Sequence, residues 1–295
     1  MSSVSNFMVF CFFFTLTISA VDDTRGSASF SLLSGIEKSP LRDVLRLNPP
    51  LSTTLGDRLI TCDPRRFGMP SVASCVDAIS QLPQPTAEML DRKRSYGPRG
   101  GTRRQYDVEL PKRWISSDGK CIIDVTQTSF PSHERDINMV GAATVIRQEC
   151  LEKAQPPWGG YGHALGDEGN LNISVAAYTP PYVKCEGAPP ARRPNHEACQ
   201  RIIDLTMKAS TARATFAAQG VPLPGQAVER LPQALVALGG GCTITIDTNV
   251  PVDTASWYEI WAAAVAVDGM CVRGGRTGRA RFLGTNRKLT VQITR

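Results

Sequence analysis

Eight of the nine cysteines of this 295-residue chain fall into two sets of four with almost the same spacing. Cys62, Cys75, Cys121 and Cys150 are separated by 13, 46 and 29 residues; Cys185, Cys199, Cys242 and Cys271 by 14, 43 and 29. The repetition extends beyond sulfur. Leu110-Pro111 stands 121 residues before Leu231-Pro232, and Gly119-Lys120-Cys121 stands before Gly240-Gly241-Cys242 at the same offset. Ile123 and Val125 match Ile244 and Ile246, and Ala142-Ala143 matches Ala263-Ala264. Leu165-Gly166 matches Leu283-Gly284 at an offset of 118, and so do Leu171, Ile173 and Val175 with Leu289, Val291 and Ile293. Matches at nearly one offset mean two copies of one module of about 115 residues, an ordinary domain size. The first copy spans residues 59–177 and the second 183–295, with a linker at 178–182 that contains Pro180-Pro181.

The N-terminus points to a compartment in which cysteines oxidise. Phe7 to Ile18 is an apolar stretch of 12 residues, followed by Ser19 and Ala20 and then by Asp22 and Asp23. A short apolar core ending in small residues reads as a secretory signal over residues 1–20, cleaved after Ala20. Residues 21–58 then form an N-terminal spacer. Cys11 leaves with the signal, and an even set of eight cysteines in a secreted chain implies disulfides. Asn172-Ile173-Ser174 is a glycosylation sequon, compatible with that route. Hydrophobic residues at 42% and charged residues at 20% exclude a disordered chain. No uncharged apolar run reaches the roughly 18 residues of a membrane span.

Each copy reads as strand, helix, strand, strand, helix, strand. Leu59–Thr61 and Tyr182–Lys184 are short strands running into the first cysteine. Ser71 to Ser80 is a helix stopped by Pro83; its partner starts near Asn195 and is expected to run to Ala218. Tyr106 to Leu110 alternates as a strand does, and Val228 to Leu231 is its weaker partner. Cys121 to Val125 and Cys242 to Ile246 carry apolar residues at every second position. Met139, Ala143, Ile146 and Cys150 recur at helical spacing, as do Ile260, Ala264, Val267 and Cys271. The last strands carry Leu171, Ile173, Val175 and Leu289, Val291, Ile293. The expected fold is α+β: two tandem split βαβ modules, each a four-stranded antiparallel sheet covered on one face by two helices. That topology gathers all four cysteines of a module at one pole. Four cysteines permit three pairings, and the spacing does not choose among them. Zinc ligation is the other use of clustered cysteines, but the close Cys-x₂₋₄-Cys pairs of zinc sites are missing, so no metal is expected.

Trp257-Tyr258-Glu259-Ile260-Trp261, Gly269-Met270-Cys271-Val272, Leu283-Gly284 and Leu289-Thr290-Val291 together resemble the end of the smut-virus killer toxins and their fungal effector-like relatives. The shared pattern is a cysteine ending the first strand, a cysteine in the first helix, Gly-x-Cys opening a strand, and a helix ending in cysteine before a Leu-x-Val strand. The chain departs from the toxins in having fewer cysteines per module and two modules. The resemblance implies small secreted α/β sandwiches from a fungus, acting on a competitor, a host or the fungal surface. It also implies a pairing: Cys62–Cys150 and Cys185–Cys271, leaving Cys75–Cys121 and Cys199–Cys242.

Catalytic motifs are hard to find. There is no Gly-x-Ser-x-Gly, His-Glu-x-x-His or Walker loop. His133, His163 and His196 have no counterparts in the other copy and read as scattered surface residues. Asp118 and Asp124 flank Cys121 and read as solvated strand-edge carboxylates. Gly239-Gly240-Gly241 precedes a strand and reads as a tight turn. Trp257 and Trp261, spaced i, i+4, read as core; copy one has Asp136 and Val140 there, which leaves open a partner surface unique to copy two.

Charge is more informative. The formal net charge is +6, and from Tyr182 onward the chain carries 14 basic and 8 acidic residues, against 14 of each in residues 59–181. From Arg273 to the end there are seven basic residues and no acid. Arg273, Arg276, Arg279, Arg281, Arg287 and Lys288 are therefore the candidate anion-binding surface, for anionic glycans, phospholipid or an acidic protein. One Arg273-Gly274-Gly275 in a secreted chain does not point to nucleic acid. The Gly-, Pro- and Arg-rich stretch Gln84 to Gln105 reads as a mobile insertion. Its Arg92-Lys93-Arg94 and Arg103-Arg104 are candidate kexin-type processing sites, after Arg94 or Arg104. The expected function is that of a secreted, cysteine-rich effector or toxin-like protein. It would bind a host, competitor or cell-surface target without catalysis, cofactor or membrane span. The alternative is a secreted enzyme or accessory protein of a biosynthetic or wall-remodelling pathway.

Overall fold

A computed structural model describes residues 60–84, 86, 92–99, 106–128, 130–225 and 227–295. The duplication is visible in every element. The first half runs β1 (Ile60–Cys62), α1 (Val72–Ser80), β2 (Lys93–Pro98), β3 (Val108–Leu110), β4 (Lys112–Ile115), β5 (Cys121–Gln127), β6 (Ser132–Arg135), α2 (Asp136–Ile146), β7 (Gly160–Leu165) and β8 (Leu171–Ala177). The second repeats it as β9 (Tyr182–Glu186), α3 (His196–Leu205), β10 (Arg213–Ala218), β11 (Val228–Leu231), β12 (Gln233–Val236), β13 (Thr243–Thr248), β14 (Val252–Ser256), α4 (Trp257–Met270), β15 (Thr277–Leu283) and β16 (Leu289–Thr294). In each half five strands form an antiparallel sheet, in the orders β1-β7-β8-β5-β4 and β9-β15-β16-β13-β12. Three more form a small sheet, β3-β2-β6 and β11-β10-β14.

The protein is thus α+β and mostly sheet, but among the described residues each half has eight strands where the sequence suggested four. The first strand lies at the sheet edge against β7 or β15 and does not pair with β5 or β13 as a split βαβ unit requires. Strands β7 and β15 went unread for a packing reason. Their inward positions include Gly160 and Gly278, so no apolar alternation shows. A Cβ on Gly160 would stand 2.7 Å from the Cys150 sulfur, and one on Gly278 would stand 2.7 Å from that of Cys271. Helix α3 ends at Leu205, and the Ala-rich stretch expected to extend it is strand β10. The expected mobile insertion contains β2, which pairs antiparallel with β6.

Helix starts follow capping chemistry. Asn195 accepts from Ala198 N at 2.9 Å, and Ser256 accepts from Glu259 N at 3.1 Å. The four disulfides pair as the toxin resemblance implies, Cys62–Cys150, Cys75–Cys121, Cys185–Cys271 and Cys199–Cys242. None crosses between halves.

The halves do not sit as beads on a linker. Helix α4 is apolar all round, and 11 of its 14 residues are buried. A helix with no polar face must be covered on every side. Its own five-stranded sheet covers one side, and the outer face of the first half's sheet covers another. Ile115 and Ile122 join the same core cluster as Ile260, Trp261 and Val265, and Ala176 and Tyr178 pack against it. Gly269 permits the closest approach, since a Cβ there would lie 2.2 Å from Ile115 Cγ2. The two tryptophans are core as expected, and for Trp261 the core includes the other half: the guanidinium of Arg99 stacks 5.3 Å from its ring.

Candidate functional site: a basic cleft on the second half

Strand β15 alternates, so Gly278 and Ala280 face the helices while Arg279 and Arg281 face out. Beyond it, the β15–β16 hairpin turns back with Phe282 and Arg287 in the left-handed region, at φ 63° and 58°. The hairpin is built on a buried carboxylate. Asp253 of β14 accepts from Asn286 N at 3.0 Å, Lys288 N at 3.1 Å and Thr254 N at 2.7 Å. At the corresponding place the first half has Ser132. The result is a cleft of about 320 Å³ on which Arg279, Arg281, Arg287 and Lys288 converge. Arg279 bonds to the neutral Gln292 side chain, and Arg287 lies over the Phe282 ring at 5.4 Å. Arg281 and Lys288 make no ion pair among the described residues. The one acid of the lining, Asp247, accepts from Thr248 N at 2.7 Å.

Four of the six candidate anion-binding residues therefore meet, and two do not. Arg273 is drawn to the first half, donating to Ser117 Oγ at 3.1 Å and lying 3.7 Å from Asp77. Arg276 donates to the Met270 carbonyl at 3.0 Å. Asp253 was missed in the sequence because the hairpin N–H groups it holds, those of Asn286 and Lys288, lie more than 30 residues away.

Other candidates disperse. Asp118 accepts from Ser74 and Ser116, whereas Asp124 binds Arg113, so the pair does not converge. His133 lies in β6 and His163 stacks on Tyr161. His196 is not merely a surface residue: its Nδ1 lies 3.0 Å from the buried Asp268. Gly239, Gly240 and Gly241 all have positive φ, the tight turn expected. Asn172 is 6% exposed near the start of β8, so the folded sheet leaves no room for a glycan there. Arg94 lies within β2, its Nε 2.7 Å from Asp136, instead of in an open loop; Arg104 lies outside the described residues.

A second cleft, of about 450 Å³, runs along the seam between the halves. Its lining mixes both signs, and Lys112 binds Asp204 across it; behind it Arg99 reaches the Ile203 and Met207 carbonyls near the end of α3. Burial lowers the Arg99 value, against the pull of Asp204. At Arg113 burial likewise opposes the charge, but the paired bonds to Asp124 outweigh it and the guanidinium lies above its ordinary value.

Burial also raises Asp268, with His196 acting against it. A carboxyl raised on folding holds its proton more tightly folded than unfolded. Its contribution to stability therefore falls as pH climbs from the ordinary aspartate value of about 4 through the raised folded value. Asp136, raised by burial against Arg94, has the same sign. Asp268→Asn should flatten that decline and cost nothing in stability near neutrality. Denaturation midpoints across the range would show it, and a slope identical to the parent's would refute it.

Compared with known families, characterised proteins and solved structures, the chain matches none. No helix among the described residues is long and apolar enough to cross a membrane. With the four disulfides, this is consistent with an extracellular protein.

Proposed function

We propose that this is a secreted, disulfide-stabilised binding protein of effector or toxin type, which holds an anionic cell-surface component through the basic cleft of its second half. The observation that carries the reading is the convergence of four cations, none paired with a carboxylate, on one cleft of a chain whose whole charge excess lies in that half. Four disulfides in the pairing implied by the killer-toxin resemblance support the secreted, toxin-like part of the reading.

Exposed charges act over about 8–10 Å at physiological salt, so retention on an anionic matrix should fall steadily as salt rises. Each cation near an anionic surface contributes about 1 kcal/mol. Arg281→Ser with Lys288→Ser should therefore weaken retention about 10- to 30-fold. Removing two cations from the first half, Lys120→Ser with Lys153→Ser, should leave it unchanged. Equal losses in the two variants, or retention indifferent to salt, would defeat the reading.

A further inference from the structure

We propose that the cleft takes an acidic polysaccharide, a pyranose chain carrying carboxylate or sulfate groups, which lies along the open face of the second half's sheet with Phe282 stacked on a sugar ring. This inference rests on the anion-binding reading above and adds the chemistry of the ligand.

The first observation is Phe282. It is 52% exposed, beside Tyr182 at a ring separation of 5.6 Å, and its backbone is left-handed. The bend imposes that conformation in both halves, since Ala164 has φ 59° at the corresponding place, but there the first half carries no ring. The ring is held outward against Tyr182 and Arg287 and buries nothing in the core. A ring beside four cations matches a ligand with an apolar flat side and anionic groups around it. The aliphatic face of a pyranose bearing acid groups has both.

The second observation is the sheet itself. In the first half the outer face carries Ile122, Asp124 and Ala176, and part of it is spent gripping α4. The corresponding positions of the second half are Thr243, Thr245 and Thr294, with Thr290 and Gln292 between them on β16. All are partly exposed. The face that serves as a seam in one half is thus a row of hydroxyls and an amide in the other, leading into the cleft past Thr248 and Asn249. Such groups both donate and accept, as sugar hydroxyls do. A lipid surface fits less well. Phe282 is flanked by Tyr182 and Arg287 instead of standing clear as an insertion wedge.

The test is calorimetric titration of the full chain, and of Phe282→Ala and Arg281→Ser/Lys288→Ser, with five probes. These are oligogalacturonate, its methyl-esterified form, a sulfated dextran oligomer, tripolyphosphate, and vesicles containing phosphatidylserine. We expect an acidic oligosaccharide to bind tightest and its esterified form about tenfold or more weakly. Preference for oligogalacturonate or for the sulfated oligomer identifies the anionic group, and either supports the inference. Phe282→Ala, which keeps the left-handed backbone that Ala164 already adopts at the same bend and should fold, ought to weaken oligosaccharide binding about tenfold while leaving tripolyphosphate binding unchanged. The double basic variant should lose both. If Phe282→Ala binds oligosaccharides as the parent does, or if tripolyphosphate or vesicles bind tighter than any oligosaccharide, the sugar inference fails while the anion cleft stands. If no anionic probe binds, both fall.

Discussion

Replacing Arg113 by Ala should destabilise the protein by about 3–5 kcal/mol and loosen the seam between its halves. The guanidinium is 7% exposed and is held by both Asp124 oxygens, at 2.7 and 2.6 Å. A third bond, 3.0 Å long, reaches Tyr258 of α4 across the seam. The rings of Tyr178, Tyr258 and Trp261 surround it, with centroids 5.1 to 5.8 Å away. Removing the cation leaves the Asp124 carboxylate against aromatic walls without its counter-ion, and that uncompensated charge is the main cost. Arg113→Met with Asp124→Leu should recover most of the loss, because it removes the charges together and keeps the volume. Trp261, 1% exposed at the same seam, supplies a fluorescence readout. The parent should unfold in one transition, and the Arg113→Ala variant at lower denaturant and less cooperatively. A shift no larger than that of an exposed substitution such as Arg65→Ala would mean the seam adds little to stability.

The seam shows where sequence reasoning reached and where it stopped. A strand such as Leu289–Thr294 was legible because one face is core and the other is not, so alternation survives, and Cys121–Gln127 was legible from Cys121, Ile123 and Val125 on its inner face. The cysteine repeat was legible because covalent bonds fix spacing more tightly than packing does. The seam was not, because Ile115, Ile122 and Ala176 look like any strand residues, and nothing local says that a second sheet face is also covered. The signal that could have exposed it was α4, whose run from Trp257 to Gly269 has no polar face and so must be enclosed. At the cleft, the cations could be counted in advance. Their division could not, because Arg273 is claimed by Ser117 and Asp77 from the other half. Strand β10 was misread as helix because Arg213-Ala-Thr-Phe-Ala-Ala satisfies helix propensity, and pairing with β11 and β14 overrides that preference.

Removing a disulfide should cost about 4–5 kcal/mol, a large share of the stability of any domain this size. The two bonds of each half should not be equal. Cys62–Cys150 and Cys185–Cys271 close 88 and 86 residues, whereas Cys75–Cys121 and Cys199–Cys242 close 46 and 43. Nearly doubling the loop adds about 0.6 kcal/mol of closure entropy to the unfolded chain, so the long-loop bonds should stabilise more by that amount. Function should separate them further. Cys185–Cys271 ties edge strand β9 to the end of α4, and β9 pairs with β15 so that Lys184 faces Arg279 and Tyr182 faces Arg281. Without the bond, β9, which flanks the strand presenting two of the four cleft cations, is held by its pairing with β15 and the Tyr182–Phe282 contact. Cys185→Ala/Cys271→Ala should therefore lose anion retention under conditions where it is still folded. Cys75→Ala/Cys121→Ala, which opens the first half behind the seam, should lose stability yet keep its retention. Paired denaturation and salt-gradient retention measurements on the two variants decide the matter. Equal loss of retention in both would mean that the cleft depends on the general stability of the molecule and not on the clamp beside it.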